Sequence, residues 1–195
     1  MEEEFWGVLT KQQFGSFLKQ FTKRFGKPTH SRRLSFSFWD HKRNKLDTRI
    51  RITDGKAEIM QKIGGVGDKQ LRVRTEKKLT LPSDTKEIFN AYQILRILIP
   101  GKDSCYIYQH NNYLFRQPDF EVKITHQIGK TDKYNFEVEA DPKKVDLNKL
   151  LKDLGLFSKI TLTNARFWDK WNEELNLKDT ELNSRAILNL IKKYL

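Results

Sequence analysis

The feature that most constrains this chain is the regular alternation of charged and apolar residues in its strand-like segments. Residues 47–62 read DTRIRITDGKAEIMQK, in which Arg49 and Arg51 alternate with isoleucines. Because successive side chains of a β-strand point to opposite faces, this period of two predicts a hairpin with one ionic face and one apolar face. The pair Asp54-Gly55 is the turn signal that joins the two strands of this hairpin.

Similar alternation predicts strands along much of the chain, and a period of about 3.6 residues predicts helices between and after them. Strands are expected at residues 4–8, 33–39, 47–53, 56–63, 71–81, 105–109, 113–117, 119–126 and 133–140. Helices are expected between the capping residue Thr10 and Gly26, within 82–98, and at 145–154, 163–175 and 179–194.

The order of these segments predicts the fold class. Hairpin-length connections give a mostly antiparallel sheet, and many strands with few helices are typical of an α+β architecture. The helices can cover the apolar side of this sheet, which leaves its ionic side facing the other way. A curled sheet brings its two ends together, so Glu2, Glu4, Glu137 and Glu139 are expected to meet inside it.

Composition narrows the domain count, the partners and the compartment. A length of 195 residues with 37% hydrophobic content predicts a single domain over 1–195, of which 141–195 is a C-terminal helical portion packed on the barrel. Lys and Arg number 37 against 25 acidic residues, and the formal charge of +12 favours anionic partners. The single Cys105 excludes an internal disulfide. Neither a signal peptide nor an apolar run of membrane-spanning length is visible, so we expect a cytoplasmic protein without membrane contact.

The ionic faces predict a site for linked phosphates. Arginine forks bind phosphate oxygens in a bidentate way, and lysine binds them as a point charge. Carboxylates on adjoining strands favour a hard cation such as Mg²⁺ or Mn²⁺. Cations on one wall and a carboxylate-held metal on another would together complement a polyphosphate.

Several of these segments resemble, in order and spacing, the motifs of the CYTH family, the triphosphate tunnel metalloenzymes. This family includes class IV adenylate cyclases, thiamine triphosphatases, tripolyphosphatases and RNA triphosphatases. Glu2 and Glu4 match the opening E-x-E of the family, and Glu137 and Glu139 match its closing E-x-E. Arg49 and Arg51 match its R-x-R strand, and Lys62 matches the lysine that follows. Arg74 and Glu76 match its R-x-E element.

The resemblance implies an antiparallel β-barrel of about eight strands with helices packed outside. It also implies that this barrel encloses a hydrophilic tunnel with a bound Mg²⁺ or Mn²⁺ and a triphosphate ligand. The implied metal ligands are Glu2, Glu4, Glu137 and Glu139. The expected phosphate-binding residues are Arg33, Arg49, Arg51, Lys62, Arg74 and Lys123. The expected catalytic residues are Glu76, Glu137 and Glu139. Two positions depart from the family pattern, because Trp6 replaces a lysine and Thr125 replaces a metal-binding aspartate.

These residues predict metal-dependent hydrolysis of a triphosphate-containing substrate: tripolyphosphate, a nucleoside triphosphate or thiamine triphosphate. One alternative is a class IV-type adenylate cyclase, because the same phosphate-binding residues serve both reactions. Another is a non-catalytic protein that binds nucleotide, polyphosphate or RNA ends, which Trp6 and Thr125 favour. Nucleic acid is a less favoured partner than a small triphosphate compound, and a monomer or homodimer is expected.

Aromatic residues near the basic segments are candidates either for base binding or for the core. Phe36 and Phe38 have the parity of core residues, whereas Trp39 has the parity of the ionic face. The FWDKW segment at 167–171 has helical spacing and is expected to pack the last helices onto the barrel.

Overall fold

The computed structural model describes residues 3–39, 46–63, 75–99 and 105–195. The strands are β1 (Glu3–Leu9), β2 (Thr29–Trp39), β3 (Leu46–Thr53), β4 (Lys56–Ile63), β5 (Thr75–Leu81), β6 (Cys105–Arg116), β7 (Phe120–Ile128), β8 (Asp132–Ala140) and β9 (Leu177–Lys178). The helices are α1 (Lys11–Phe25), α2 (Thr85–Leu98), α3 (Leu147–Asp153), α4 (Ala165–Leu175) and α5 (Ser184–Tyr194). Short 3₁₀ turns cover Phe157–Lys159 and Asp179–Glu181.

The strands form one antiparallel sheet in the order β1-β8-β7-β6-β2-β3-β4-β5, with β9 paired to β6. The predicted α+β class and antiparallel sheet are therefore confirmed. The predicted closed barrel is not, because β1 and β5 are the edges of the sheet in the described ranges and no pairing joins them. The sheet is nevertheless curved enough for side chains of seven of its strands to line one cavity.

Local sequence signals explain the first helix and the central hairpin. The Thr10 hydroxyl accepts a hydrogen bond from the Gln13 amide at 3.1 Å, and the Gln13 side chain accepts one from the Thr10 amide at 2.8 Å. This reciprocal pair satisfies two amides that the start of α1 leaves without helical partners. Asp54 and Gly55 have φ angles of 47° and 82°, as the predicted two-residue turn between β3 and β4 requires.

The helices cover the apolar face of the sheet in two groups, so the core is divided. Phe21 of α1 and Leu151 of α3 pack with the buried side chains of β7 and β8, including Phe136. On the other half, α2 and α5 pack against β2, β3 and β6, where Phe36 and Phe38 are fully buried. The core assignment of these two phenylalanines is confirmed. Because these helices cover the apolar face of the sheet, its ionic face remains for other contacts.

One predicted pair of strands is wrong, since residues 105–109 and 113–117 belong to the single strand β6. The polar sequence HNN at 110–112 looks like a turn, but it continues the strand and pairs with both β2 and β7. His110 and Asn112 are tolerated in mid-strand because their side chains face the ionic cavity. Among the described helices, none is long and apolar enough to cross a membrane.

Candidate functional site

The ionic sides of the curved strands surround a cavity of about 240 Å³. Most of its lining residues fall into four groups. The cationic wall is Arg33, Arg49, Arg51 and Lys62; the neutral wall is His110, Asn112, Thr125, Gln127 and Asn135; the aromatic wall is Trp6, Trp168 and Trp171. The fourth group contains Glu4, Glu137 and Lys123 on the adjacent strands β1, β8 and β7.

Three members of the cationic wall are held by carboxylates of the same hairpin or the next strand. Arg49 makes a bidentate pair with Asp47, with distances of 2.8 Å from Nε to Oδ1 and 2.6 Å from Nη2 to Oδ2. The Nε of Arg51 donates to Glu58 at 2.6 Å. Asp47 was missed by sequence reasoning, although its parity with Arg49 on one strand would have placed it in the cavity.

Lys62 is held at the edge of the sheet by Glu76. The Lys62 Nζ lies 2.8 Å from Glu76 Oε1, and Lys78 contacts the other oxygen at 3.2 Å. Burial opposes ionisation of Glu76, but the bonds from Lys62 and Lys78 lower its pKa to about 2. Glu76 is therefore a charged partner of the cationic wall, and the structure does not group it with the glutamates of β1 and β8.

Arg33 differs from its neighbours, because in the described part of the chain it has no carboxylate within ion-pair distance. Its Nε donates to the Thr53 hydroxyl at 3.1 Å. Burial, followed by repulsion from Arg51 and Arg49, lowers the pKa of Arg33 to about 10. A partly buried guanidinium beside two others is stabilised when an anion enters the cavity.

A glutamate cluster, defined as Glu4, Glu137 and Glu139, lies beside the cationic wall. Carboxylate oxygens of the three side chains lie within 4.8 Å of one another. The sequence predicted their meeting, but for the wrong reason. They meet because β1 pairs directly with β8, which places Glu4 opposite Glu139 and Trp6 opposite Glu137, and not because the ends of the sheet close.

Two members of the glutamate cluster are joined by a hydrogen bond. Burial opposes ionisation of Glu137, but Lys123 at 2.6 Å and a hydrogen bond from Glu139 lower its pKa. The hydrogen bond to Glu137, together with burial, raises the pKa of Glu139. These opposite shifts favour a single proton shared by the pair, with Glu139 as the donor and the Glu137 carboxylate as the acceptor.

The donor set of this cluster fits Mg²⁺ or Mn²⁺. Both are hard cations that prefer carboxylate oxygens and complete their coordination with water or phosphate oxygens. A bound cation would compensate the crowded carboxylates in place of the shared proton, since metal binding releases protons from its ligands. The other predicted ligand, Glu2, and the predicted phosphate-binding Arg74 lie outside the described residues.

The neutral wall is joined by short hydrogen bonds. The Thr125 hydroxyl donates to Asn112 Oδ1 at 3.0 Å, and the Gln127 amide nitrogen lies 2.6 Å from His110 Nε2. Burial and the charges of Arg33, Arg49 and Lys123 lower the pKa of His110 to about 3. The imidazole is therefore neutral, and its unprotonated Nε2 accepts the hydrogen bond from Gln127.

The aromatic wall joins β1 to α4. The Trp6 ring centroid lies 5.0 Å from that of Trp168 and 5.2 Å from that of Trp171. Trp171 also donates through Nε1 to Gln127 at 3.0 Å. The FWDKW segment thus packs on the sheet as predicted, but both of its tryptophans lie on the cavity side, which no local sequence signal indicated.

Comparison with known proteins gives the fold. The sequence matches no protein-family profile and no curated protein. The structure, however, superimposes on HpAC1 from Hippeastrum, an adenylyl cyclase candidate described as having a dominant triphosphatase activity. The TM-score is 0.60 at 14% identity, over 87% of this chain and 96% of that one. An adenylate cyclase candidate from Bacillus halodurans matches with a TM-score of 0.58 at 16% identity, over 86% and 97%.

This chain has the CYTH fold. The structure also superimposes on a chain of the Schizosaccharomyces pombe Mediator head module, with a TM-score of 0.55 at 14% identity over 78% of this chain and 94% of that one. At such identities the likeness concerns the fold alone. The function of the CYTH-fold chain must therefore be argued from the cavity.

Proposed function

We propose that this protein hydrolyses a triphosphate compound with the help of Mg²⁺ or Mn²⁺. The observation that carries the proposal is the presence of the glutamate cluster and the cationic wall in one cavity of the CYTH-fold chain. Linked phosphates need both parts, because their charge is spread over many oxygens and must be neutralised during transfer. The resemblance of the motifs and the triphosphatase activity described for HpAC1 support the same reaction.

The side chains of the two groups have distinct roles in this proposal. Glu4, Glu137 and Glu139 hold the cation, which when bound neutralises phosphate oxygens and acidifies water. Arg33, Arg51 and the remaining cations of the wall bind and orient the phosphate chain. The bidentate pair with Asp47 fixes the Arg49 guanidinium, and Glu76 fixes the ammonium of Lys62.

Glu139 and Glu137 are joined by a hydrogen bond in the metal-free site. A bound cation would replace the proton of that bond, so both carboxylates become available as ligands. Lys123 holds Glu137 at 2.6 Å and thereby keeps the second carboxylate charged. Positioning and charge stabilisation would supply most of the rate enhancement, as in other phosphoryl transfers.

A second candidate function is the binding of a triphosphate compound without turnover. Two observations favour it: Trp6 occupies a cavity position where the resembling motif has a lysine, and Thr125 occupies one where it has an aspartate. Both changes remove charge from the site while leaving the cationic wall complete.

The deciding experiment measures products from tripolyphosphate, ATP and thiamine triphosphate, each with Mg²⁺, Mn²⁺ or EDTA. Orthophosphate that depends on the metal supports hydrolysis, and cyclic nucleotide would instead show a cyclase. Glu137→Gln is expected to lose the metal-dependent turnover, whereas Glu87→Gln on the exposed side of α2 is the matched control. Tight binding of a triphosphate with no product would refute hydrolysis and support the second candidate.

A further inference from the structure

We propose that the cavity selects triphosphates that carry an aromatic heterocycle, such as nucleoside triphosphates, over inorganic tripolyphosphate. The heterocycle would lie between the aromatic wall and the neutral wall, while the phosphates occupy the cationic wall. This inference rests on the proposed function and deepens it, because it assigns a ligand group to the half of the cavity that the phosphates do not need.

The first support is the position of Trp6 relative to the glutamate cluster. Trp6 lies opposite Glu137 in the pairing of β1 with β8, and Glu4 precedes it by two residues on the same face. Trp6 and Trp168 are only partly buried, and both line the cavity. An indole face next to the predicted metal site is suited to stack a flat ring attached to the phosphate chain.

The second support is an unused hydrogen-bond donor in the neutral wall. Asn112 is 4% exposed, and its Oδ1 accepts the Thr125 hydroxyl at 3.0 Å. Its Nδ2 has no hydrogen-bond partner among the residues that the structure describes. Because a buried donor without a partner is costly, a carbonyl or ring nitrogen of a ligand would restore the missing bond.

The third support is the separation of charge within the cavity. The neutral wall carries no formal charge, since its members are amides, a hydroxyl and the neutral His110. Inorganic tripolyphosphate is charged along its whole length and gains least from an uncharged surface, whereas a heterocycle is uncharged and offers ring nitrogens and carbonyls to it.

The register of the strands places the neutral row that would contact the heterocycle close to the row that carries Trp6 and Glu137. Asn112, Thr125 and Asn135 form one row across β6, β7 and β8. Trp6 and Glu137 lie in the row that is two residues further along β8, which corresponds to about 7 Å. A group joined to the phosphate chain can therefore contact both rows.

The test compares binding of ATP and of tripolyphosphate to the full chain in the presence of Mg²⁺, by calorimetry. The wild type is expected to bind ATP more tightly. Trp168→Leu, which keeps an apolar side chain but removes the indole, is expected to weaken ATP binding between about 5-fold and about 150-fold and to leave tripolyphosphate within about twofold. Phe167→Leu is the matched control, because this ring packs on Trp6 and Trp171 without lining the cavity.

Asn112→Leu provides a second variant on the opposite wall, with the same expected selective loss of ATP affinity. The inference is overturned if the wild type binds both compounds equally, or if Trp168→Leu and Asn112→Leu weaken both to the same extent. In those cases tripolyphosphate hydrolysis can still be intact, so the proposed function survives. If neither compound binds, the proposed function itself is refuted, and the heterocycle preference falls with it.

Discussion

The neutral state of His110 leads to a quantitative prediction about stability and pH. The imidazole faces Arg33, Arg49 and Lys123, with Glu137 opposing their effect, and its pKa is lowered to about 3 by burial and these cations. The ordinary value of about 6.5 applies to the unfolded chain. Between these two values the unfolded state binds more protons than the folded state, so acidification favours unfolding.

The size of this effect follows from the two pKa values. A pH of 5 lies about 1.5 units below the pKa of the unfolded imidazole, which is therefore almost fully protonated, whereas the folded imidazole is still neutral. At about 1.4 kcal/mol per unit, the His110 contribution to the free energy of unfolding falls by about 2 kcal/mol between pH 7 and pH 5. That is a measurable part of the roughly 5–15 kcal/mol that stabilises a typical domain.

Urea unfolding, followed by tryptophan fluorescence at pH 7 and pH 5, measures this contribution. His110→Gln keeps a polar side chain but removes the titration, so this variant is expected to lose about 2 kcal/mol less than the wild type on acidification. His30→Gln, at an exposed position on β2, is the control for replacing a histidine elsewhere. An equal loss of stability in His110→Gln and the wild type would show that His110 is not held neutral by the cavity.

Two matched pairs of variants test the cavity and the packing by unfolding free energies. Arg49→Gln is expected to cost about 3–5 kcal/mol because buried Asp47 loses its bidentate partner. Arg33→Gln removes a cation crowded by other arginines, so the free energy of unfolding of this variant is expected to stay within about 1 kcal/mol of the wild type. Equal losses in Arg33→Gln and Arg49→Gln would contradict the difference in the pairing of these two arginines. Gly7→Ala is expected to cost more than about 2 kcal/mol, since its Cβ would lie 2.1 Å from a backbone oxygen, while Gly15→Ala, in open space on α1, is expected to gain up to about 1 kcal/mol. A stable Gly7→Ala variant would contradict the close approach of the chain at β1.

Local sequence patterns predicted which side chains face the cavity more accurately than they predicted the neighbours of those side chains on other strands. Strand alternation is local, because each Cβ direction follows from its neighbours in the chain. It therefore assigned Arg49, Arg51 and Lys62 correctly to one side of the sheet. The hairpin turn and the capping of α1 are equally local, and both are confirmed.

The neighbours across the sheet could not be read from local patterns. The adjacency of β1 and β8 joins segments more than 120 residues apart and determines the glutamate cluster. The polar run at 110–112 resembles a turn because three consecutive polar residues are typical of loops, and no local pattern shows that His110 and Asn112 face a polar cavity. The tryptophans of α4 reached the cavity through a long-range contact with Trp6, which helical periodicity does not encode.

The charges of the cavity explain why its two halves must act together. Four of its cations, Arg49, Arg51, Lys62 and Lys123, are already bonded to carboxylates. Among the cavity residues that the structure describes, Arg33 alone offers a charge that is not already in an ion pair. A triphosphate brings several negative charges into this nearly balanced site and would be repelled by the resident carboxylates. A cation held by the glutamate cluster supplies the missing positive charge at the point where those carboxylates are most crowded. Binding without a metal should therefore be weak whichever triphosphate is used, and the dependence on metal follows from charge balance before any chemical step occurs.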